Sequence, residues 1–182
     1  RLILIRHFWI NVKRLLFKIS HPYFRLNFKS TKRIPMATKK ASESEIIMTE
    51  LVLPNDTNLF GNLMGGRLMY WMDIAAALSA SKHSNAPVVT ASVDNISFES
   101  SIKLGNVVHI EAHVSRAFTT SMEVHLKVWG EELTQQSRYK SNEAYYTFVA
   151  LDPDGKPRPV IALEPSNETE QKLFDGALRR RQ

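Results

Sequence analysis

The stretch from Asn55 to Lys82 constrains the fold more than any other part of the chain. Its first half is rich in turn-forming residues and ends on the adjacent glycines Gly65 and Gly66. Its second half, from Arg67 onward, has no Gly or Pro and is rich in Leu, Met, Ala, Ile, Tyr and Trp, which predicts an α-helix. Because apolar residues occur all the way round this helix, we expect it to be buried on every side. It is too short and too interrupted for a membrane span, which needs roughly 20 apolar residues.

Asp73 is the only acidic residue within this apolar helix. Burying an ionised carboxylate is costly, so such a group is paired, has a raised pKa or faces a pocket. Two interpretations stay open at this point. Asp73 is either a buried residue bonded to a backbone or hydroxyl partner, or a catalytic carboxylate in a cleft.

The start of the helix is a second candidate site. Gly65 and Gly66 lack Cβ atoms, and the free N–H groups of a helix N-terminus suit an anion or a developing oxyanion. Asn62 lies just upstream with an amide that can orient water or a carbonyl. Gly66 and Asp73 are seven residues apart in sequence, and the rise of a helix makes that roughly 10 Å along its axis. We therefore expect Asp73 of a second copy of the chain to complete any site at Gly66.

The positive charge is concentrated in the first 35 residues, which hold nine Lys or Arg and no acidic residue. The rest of the chain carries 15 basic and 18 acidic residues, so the formal charge of +6 comes from this tail. The tail reads as a targeting segment, as a segment that binds a membrane surface or nucleic acid, or as residues upstream of a native start at Met36. We favour the last interpretation, and we expect residues 1–45 to be a basic, disordered tail before a folded domain over residues 46–164.

The remaining pattern predicts an α+β fold. The candidate strands are Ile46 to Leu53, Val88 to Ser97, Val108 to Val114, Met122 to Val128 and Ala144 to Leu151. A change of phase near Asp94 and Asn95 predicts a bulge. Asn167 and Glu170 are placed to cap a last helix within residues 165–182. A single helix buried amid antiparallel strands must be wrapped by their sheet.

Several kinds of site are excluded or disfavoured by the residues. The absence of Cys excludes disulfides, Cys-ligated zinc and thiol nucleophiles. There is no G-x-S-x-G nucleophile elbow, P-loop or dinucleotide-binding G-x-G-x-x-G. His109, His113 and His125 share the polar face of two predicted strands, but Glu and Lys alternate with them, so we favour a solvated or interface face over a metal site.

Four segments together resemble the hotdog-fold acyl-CoA thioesterases. They are NDTNLFGNLMGGRLMYWMD, FESSIKLGNVVHIEAHVSR, TTSMEVHLKVW and AYYTFVALDPDGKPRPV, and the resemblance covers roughly Ile46 to Val160. It implies an antiparallel sheet of five to six strands around one central helix. It also implies a homodimer with joined sheets, a hexamer built as a trimer of dimers, a cytoplasmic location and no cofactor.

The resemblance also implies roles for individual residues in the hydrolysis of acyl-CoA to a fatty acid and CoA. Asp73 acts as general base or nucleophile, Asn62 of the facing subunit positions water or substrate, and the turn at Gly65 and Gly66 supplies the oxyanion donor. Candidate substrate-binding residues are Asn58, Met64 and Ser121. By position alone, Arg116, Arg138 and Lys140 are candidates for the CoA phosphates, and each of them is alternatively a solvated surface charge.

Three alternatives compete with a thioesterase. A hotdog hydratase needs a His where this chain has Gly61 in its D-x-N-x-x-G sequence. We therefore do not expect hydratase activity. A non-catalytic acyl-CoA-binding regulator that uses the basic tail on DNA lacks the pattern of a helix-turn-helix domain, so we expect no nucleic acid partner. In the third alternative Asp73 is a satisfied core residue with no part in chemistry.

Overall fold

The computed structural model describes residues 38–181, and the predictions made for residues 1–37 lie outside them. The described elements are β1 (Thr38–Lys40), β2 (Ile46–Leu51), α1 (Gly65–Ser84), β3 (Val88–Phe98), β4 (Val107–Ala117), β5 (Ser121–Glu132), β6 (Ser137–Ala150), β7 (Ala162–Glu164) and α2 (Glu168–Arg180). Short 3-10 turns lie at Ala41–Ser44 and Pro54–Asp56.

Five of the strands form one antiparallel sheet in the order β2-β4-β5-β6-β3. The two edge strands are β2 and β3, and the predicted bulge in β3 is present as a register shift between Asp94 and Ser97. The helix α1 packs across one face of this sheet. The predicted α+β architecture, an antiparallel sheet wrapped around one central helix, is therefore confirmed.

The core lies between α1 and the side chains of β4, β5 and β6 that face it. Alternation along each strand sends every second residue toward the helix. The fully buried strand residues on this side are Val108, Ile110, Ala112, Val114, Met122, Val124, Leu126, Val128, Ala144, Tyr146, Phe148 and Ala150. From α1, Met72 and the small residues Ala75, Ala76 and Ala80 pack against them without exposure. Each large aliphatic side chain buried in this way contributes about 1.5–3 kcal/mol.

One side of α1 is open, so the prediction that the helix is buried all round is wrong for the single chain. Tyr70 is 57% exposed and Leu78 is 51% exposed, and Met69 is also partly uncovered. Gly66 and Asp73 lie among them at helical spacing. We call these five residues the open face of α1. A large apolar surface of this kind marks a contact with another molecule.

Residues 38–44 are structured, which corrects the predicted disorder of the lead-in up to residue 45. The strand β1 pairs in parallel with β7, and Ala41 and Ser44 are buried. The Lys39 ammonium donates to the carbonyls of Lys82 and His83 at 2.8 and 3.0 Å. This cation therefore serves the C-terminus of α1, where the helix dipole favours positive charge. A strand of three residues is too short to give a hydrophobic pattern from which its parallel pairing could be predicted.

Several strand boundaries also differ from the prediction, among them the end of β2 and the start of β6. The strand β2 ends at Leu51 rather than Leu53, and β6 begins at Ser137 rather than Ala144. The first seven residues of β6 are mostly polar, so they read as a loop. They are held in the sheet by their backbone pairing with the long strand β5, which shows how register can extend a strand beyond its apolar pattern.

The predicted cap of the last helix is confirmed. The Asn167 side chain accepts a hydrogen bond from the backbone N–H of Glu170 at 2.9 Å. The Glu170 carboxylate in turn accepts from the backbone N–H of Ser166 at 2.7 Å. The helix α2 therefore starts where its sequence signature places it.

The outer face of the sheet, opposite α1, is covered in part by α2. Of the two predicted alternatives, a solvated or an interface face, the covered part is therefore an interface within the chain. Arg180 of α2 forms an ion pair with Glu123 at 2.8 Å and lies over the ring of Tyr145 at 3.7 Å. The ring of Tyr145 stacks on His125, which is almost fully buried. A sequence pattern of alternating charges cannot show that a later helix returns to cover them.

Two of the three histidines predicted for this face bond to carboxylates, and the third, His113, packs edge-on against the ring of His125. Nε2 of His109 is 2.6 Å from Glu131, and Nε2 of His125 is 2.7 Å from Glu143. Within residues 38–181 no group of three or more acidic and histidine side chains is arranged to hold a metal ion. Neither of the two helices in this range has the length and apolar character that crossing a bilayer requires.

Burial sets the protonation of the pair formed by His125 and Glu143. Burial lowers the pKa of His125 to about 4, and the hydrogen bond that His125 donates to Glu143 only partly opposes this. Burial acts to raise the pKa of Glu143, but hydrogen bonds from Lys140 and His125 outweigh it and lower the pKa to about 2. At neutral pH His125 is therefore neutral and donates from Nε2 to an ionised Glu143.

We expect the free energy of unfolding to fall as the pH drops from 6.5 toward 4. In this range His125 takes up a proton in the unfolded chain, whereas folded His125, with its lowered pKa, stays neutral. One such group costs about 1.4 kcal/mol per pH unit within this window. Urea unfolding at pH 7, 5.5 and 4.5 measures the slope, and His125→Gln should make it shallower. The control is His109→Gln at the less buried position. Equal slopes for wild type and His125→Gln would contradict the assignment.

Candidate active site

The loop before α1 is held by the side chain of Asn58. Its Oδ1 accepts hydrogen bonds from the backbone N–H groups of Phe60 and Asn62 at 2.9 and 3.2 Å. Its own backbone N–H donates to the carbonyl of Asn62 at 2.8 Å. These bonds fix a tight loop whose tip, Leu59 and Phe60, is almost completely exposed. Within residues 38–181 the side-chain amide nitrogen of Asn58 has no hydrogen-bond acceptor and is free to donate.

The N-terminus of α1 offers two unused backbone donors. Met64 precedes the helix without a side-chain cap, and its carbonyl accepts from the N–H groups of Arg67 and Leu68, both at 3.0 Å. No acceptor in the described part of the chain takes up the N–H groups of Gly65 and Gly66. They lie at the positive end of a 20-residue helix, where an anion or an oxyanion is favoured.

The two glycines differ in what surrounds them. A Cβ atom on Gly65 would lie 3.1 Å from the ring of Phe98, so the ring would have to shift by a few tenths of an ångström to admit it. A Cβ atom on Gly66 would meet nothing within 4 Å. Nothing in the described chain therefore requires a glycine at position 66, and its backbone is open to an approaching molecule.

Asp73 lies on the open face of α1 and is half-buried. The Thr90 hydroxyl donates to its Oδ1 at 2.8 Å. Thr90 is fixed in β3 by its pairing with Phe148 of β6. Burial and the nearby charge of Asp73 raise the pKa of Tyr146, whose side chain lies in the core beneath. One carboxylate oxygen is thus held by a hydroxyl, and Oδ2 has no donor among residues 38–181. A base or nucleophile in a cleft needs such a free oxygen.

The structure brings only part of the predicted site together in one chain. Asn58, Asn62, Met64, Gly65 and Gly66 lie on one loop and the helix start that follows it. Asp73 lies two turns farther along the same helix. Ser121 is buried at the start of β5, where its carbonyl closes the turn from Phe118 at 2.8 Å.

The three cations predicted to bind the CoA phosphates all reach the outer face of the sheet. Each is bonded there to another group: Arg116 to the carbonyl of Phe174 at 2.8 Å, Arg138 to Glu111 at 2.8 Å and Lys140 to Glu143 at 2.6 Å. Within one chain they therefore lie on the opposite side of the sheet from α1.

Thr90 is the site residue that the sequence analysis missed. A carboxylate on a buried helix predicts that some donor faces it. The sequence could not choose among the hydroxyl groups of Thr90, Ser92 and Ser97, because only the register of β3 against β6 places Thr90 opposite Asp73.

The comparisons with known proteins agree with this fold and loop. The profile of the Thioesterase superfamily matches residues 60–136. The uncharacterized acyl-CoA thioester hydrolase YkhA of Bacillus subtilis is 39% identical over 143 residues, which cover 79% of this chain and 83% of that protein. The chain belongs to the hotdog acyl-CoA thioesterase family.

Solved structures of the family resemble this hotdog domain closely. An acyl-CoA hydrolase from Staphylococcus aureus, in complex with butyryl coenzyme A, coenzyme A and coenzyme A disulfide, is 38% identical with a TM-score of 0.75 and covers 79% of this chain and 88% of its own. An apo-hexameric acyl-CoA thioesterase is 40% identical with a TM-score of 0.77, covering 79% and 92%.

The Staphylococcus aureus enzyme has also been solved with alanine in place of single residues. The residues replaced are an asparagine, an aspartate and a threonine. In that protein the three follow one another with the same separations as Asn58, Asp73 and Thr90 do here.

The contrast between the two glycines gives a test of the local packing. We expect Gly66→Ala to keep or raise the melting temperature, because alanine favours the helix by up to about 1 kcal/mol and its Cβ meets nothing. Gly65→Ala should lower it, because the new atom presses on Phe98. Thermal unfolding followed by circular dichroism measures both. A larger loss for Gly66→Ala than for Gly65→Ala would refute this packing.

Proposed function

We propose that this protein hydrolyses fatty acyl-CoA to a free fatty acid and CoA. The observation that carries the proposal is the carboxylate of Asp73, held by Thr90 through one oxygen on the open face of α1. Its other oxygen and the free N–H groups at the start of α1 are the two kinds of group that thioester hydrolysis needs. Membership of the hotdog thioesterase family supports the same reaction.

The reaction divides between the N-terminus of α1 and Asp73, which lies two turns farther along the helix. The N–H of Gly66 stabilises the negative charge that develops on the thioester oxygen, and losing such a donor typically costs roughly 10²–10³ in turnover. Asp73 acts at the carbonyl carbon, either by taking a proton from the attacking water or by attacking directly. The carbon–sulfur bond then breaks, and the leaving thiolate of CoA takes up a proton. If Asp73 attacks directly, water then hydrolyses the acyl anhydride formed on its carboxylate and releases the fatty acid. Thr90 positions Asp73, because its hydroxyl donates to Oδ1 at 2.8 Å.

We place the side-chain amide of Asn58 next to the thioester carbonyl or next to the attacking water. One observation supports Asn58 over Asn62: its spacing to Asp73 equals that of the asparagine and aspartate replaced in the Staphylococcus aureus enzyme. Its amide nitrogen is also free to donate among the described residues. Asn62, which the sequence resemblance puts in this role, donates its backbone N–H to Asn58 and shapes the loop. Its catalytic role stays a prediction.

We propose that the working unit is a homodimer with sites shared between subunits. The open face of α1 leaves Met69, Tyr70 and Leu78 exposed, and the loop tip exposes Leu59 and Phe60. Packing two copies through these surfaces, with the β3 edges adjacent, would bury both and bring Asn58 of one copy to Asp73 of the other. The hexameric relative supports assembly of three such dimers. A cytoplasmic location stays a prediction.

Release of CoA from a panel of acyl-CoAs tests the proposed activity. A thiol-reactive dye reports CoA directly, because the chain has no Cys. We expect Asp73→Asn to lose roughly 10²–10⁴ of the turnover, the usual contribution of a general base. Robust release by Asp73→Asn would remove this residue from the chemistry. No release from any substrate by the wild type, with binding retained, would favour the non-catalytic acyl-CoA-binding regulator.

Thr90→Val tests the positioning role of Thr90. Without its hydroxyl donor, the Asp73 carboxylate loses its fixed orientation, so kcat should fall while KM for acyl-CoA stays unchanged, and Thr90→Ser should restore most of the rate. The control is Thr119→Val, an exposed hydroxyl in the turn between β4 and β5. A fall in kcat that Thr90→Ser does not restore would mean that the Thr90 hydroxyl does not position Asp73.

Mixing two inactive variants tests the shared site. Co-refolded Asn58→Ala and Asp73→Asn should regain up to about a quarter of wild-type activity, because half of the dimers are mixed and each mixed dimer has one intact site. Size-exclusion chromatography with light scattering confirms that dimers form. No recovery in a mixture that does form mixed dimers would place both residues of a site on one subunit.

A further inference from the structure

A cavity lies on the outer face of the sheet, between α2 and the strands β5 and β6. Its volume is about 430 Å³. Lys127 and Trp129 of β5 line it, whereas the alternate residues Leu126 and Val128 point to the core beneath α1. The sheet itself therefore separates this cavity from Asp73 of the same chain. We call it the outer pocket.

The outer pocket is strongly basic. Its lining includes one carboxylate, Glu143, and five cations, namely Lys127, Lys140, Lys172, Arg179 and Arg180. Three of these cations are paired with carboxylates: Lys140 with Glu143 at 2.6 Å, Lys172 with Glu168 at 2.8 Å and Arg180 with Glu123 at 2.8 Å. Within residues 38–181, Lys127 and Arg179 have no carboxylate at ion-pair distance. Lys127 is also half-buried, so its charge is only partly solvated.

A glycine in the middle of α2 helps to form this pocket. Gly176 is buried, and a Cβ atom there would lie 2.7 Å from Nη1 of Arg180. A glycine inside a helix costs about 1 kcal/mol relative to alanine. The bare position lets the Arg180 guanidinium lie across the helix toward Glu123, which keeps this cation at the wall of the pocket.

The aromatic rings around the pocket do not offer a stacking platform. His125 stacks on Tyr145 at 4.9 Å, and Arg180 lies over the same ring at 3.7 Å. Arg138 lies over the ring of Trp129 at 5.1 Å. These ring faces are already covered, so the pocket is suited to anionic groups rather than to the flat face of a base.

We propose that the outer pocket binds a phosphate-bearing anion, with Lys127 and Arg179 as its principal ligands. Both are free to form charge-assisted hydrogen bonds with phosphate oxygens. The volume of about 430 Å³ exceeds that of a single small ion, so a diphosphate fits better than an isolated phosphate. The diphosphate of a CoA moiety and a separate small diphosphate share this chemistry. The proposal does not depend on Asp73 or on the hydrolysis.

Calorimetric titration of the full chain with inorganic pyrophosphate tests the pocket. We expect Lys127→Met to weaken binding roughly tenfold, the effect of losing one charge-assisted contact. The control is Lys156→Met, which removes the same charge from an exposed turn outside the pocket and should bind as wild type does. If Lys127→Met fails to fold, Arg179→Met at an exposed position of α2 replaces it. No binding by the wild type at millimolar pyrophosphate, or equal binding by wild type and variant, overturns the proposal.

Competition and kinetics distinguish the two sources of the phosphate. If the pocket holds the diphosphate of the substrate, CoA should displace pyrophosphate and Lys127→Met should raise KM for acyl-CoA with kcat unchanged. If the ligand is a separate small molecule, Lys127→Met should weaken pyrophosphate binding and leave KM unchanged. Either result supports anion binding in the pocket. The assay of Asp73→Asn is independent of both, because full activity of that variant would contradict only the proposed role of Asp73 in hydrolysis.

Discussion

The packing of α1 against one face of the sheet is the interaction on which the rest of the structure depends. Small residues on the helix let it lie close to β4, β5 and β6, and the side chains between them are fully buried. A helix fixed on these sides cannot rotate or slide without opening the core. The N–H groups at its start and the carboxylate of Asp73 therefore have a fixed separation. A site built on such an element is more rigid than one carried by loops alone.

The two faces of the sheet are stabilised by different physics. The packing between α1 and the sheet is mostly apolar, and its buried polar groups include the hydroxyls of Ser79 and Tyr146. The outer face keeps α2 in place with ion pairs and cation–π contacts, such as Arg180 with Glu123 and Tyr145. Of the cations chosen from sequence for the CoA phosphates, Arg116 is used in this way and bonds to the carbonyl of Phe174 in α2. Arg138 and Lys140 instead pair with Glu111 and Glu143 of the sheet. An anion on this face would be bound by the cations that have no carboxylate partner, because the charge of a paired cation is already compensated.

The sequence predicted those parts of the fold that leave a local pattern. The composition after Gly66 predicted α1, the Asn167 cap predicted the start of α2, and alternation predicted the core faces of β4 and β5. It could not predict contacts made by distant segments, such as β1 with β7, the burial of His125 under α2, or the hydroxyl of Thr90 on Asp73. These depend on register and on the return of a later element, which no window of adjacent residues contains.

Two features of α1 are unexplained by a single chain, and one cause accounts for both. The apolar side chains of the open face gain nothing from exposure to water, and the helix would tolerate a side chain at Gly66. A second copy packed on this face would bury Met69, Tyr70 and Leu78. It would also enclose a cleft over Gly66 that has to stay bare for a carbonyl to reach the backbone N–H. The same contact would remove water from around Asp73, where a lower dielectric strengthens its interaction with the reacting groups.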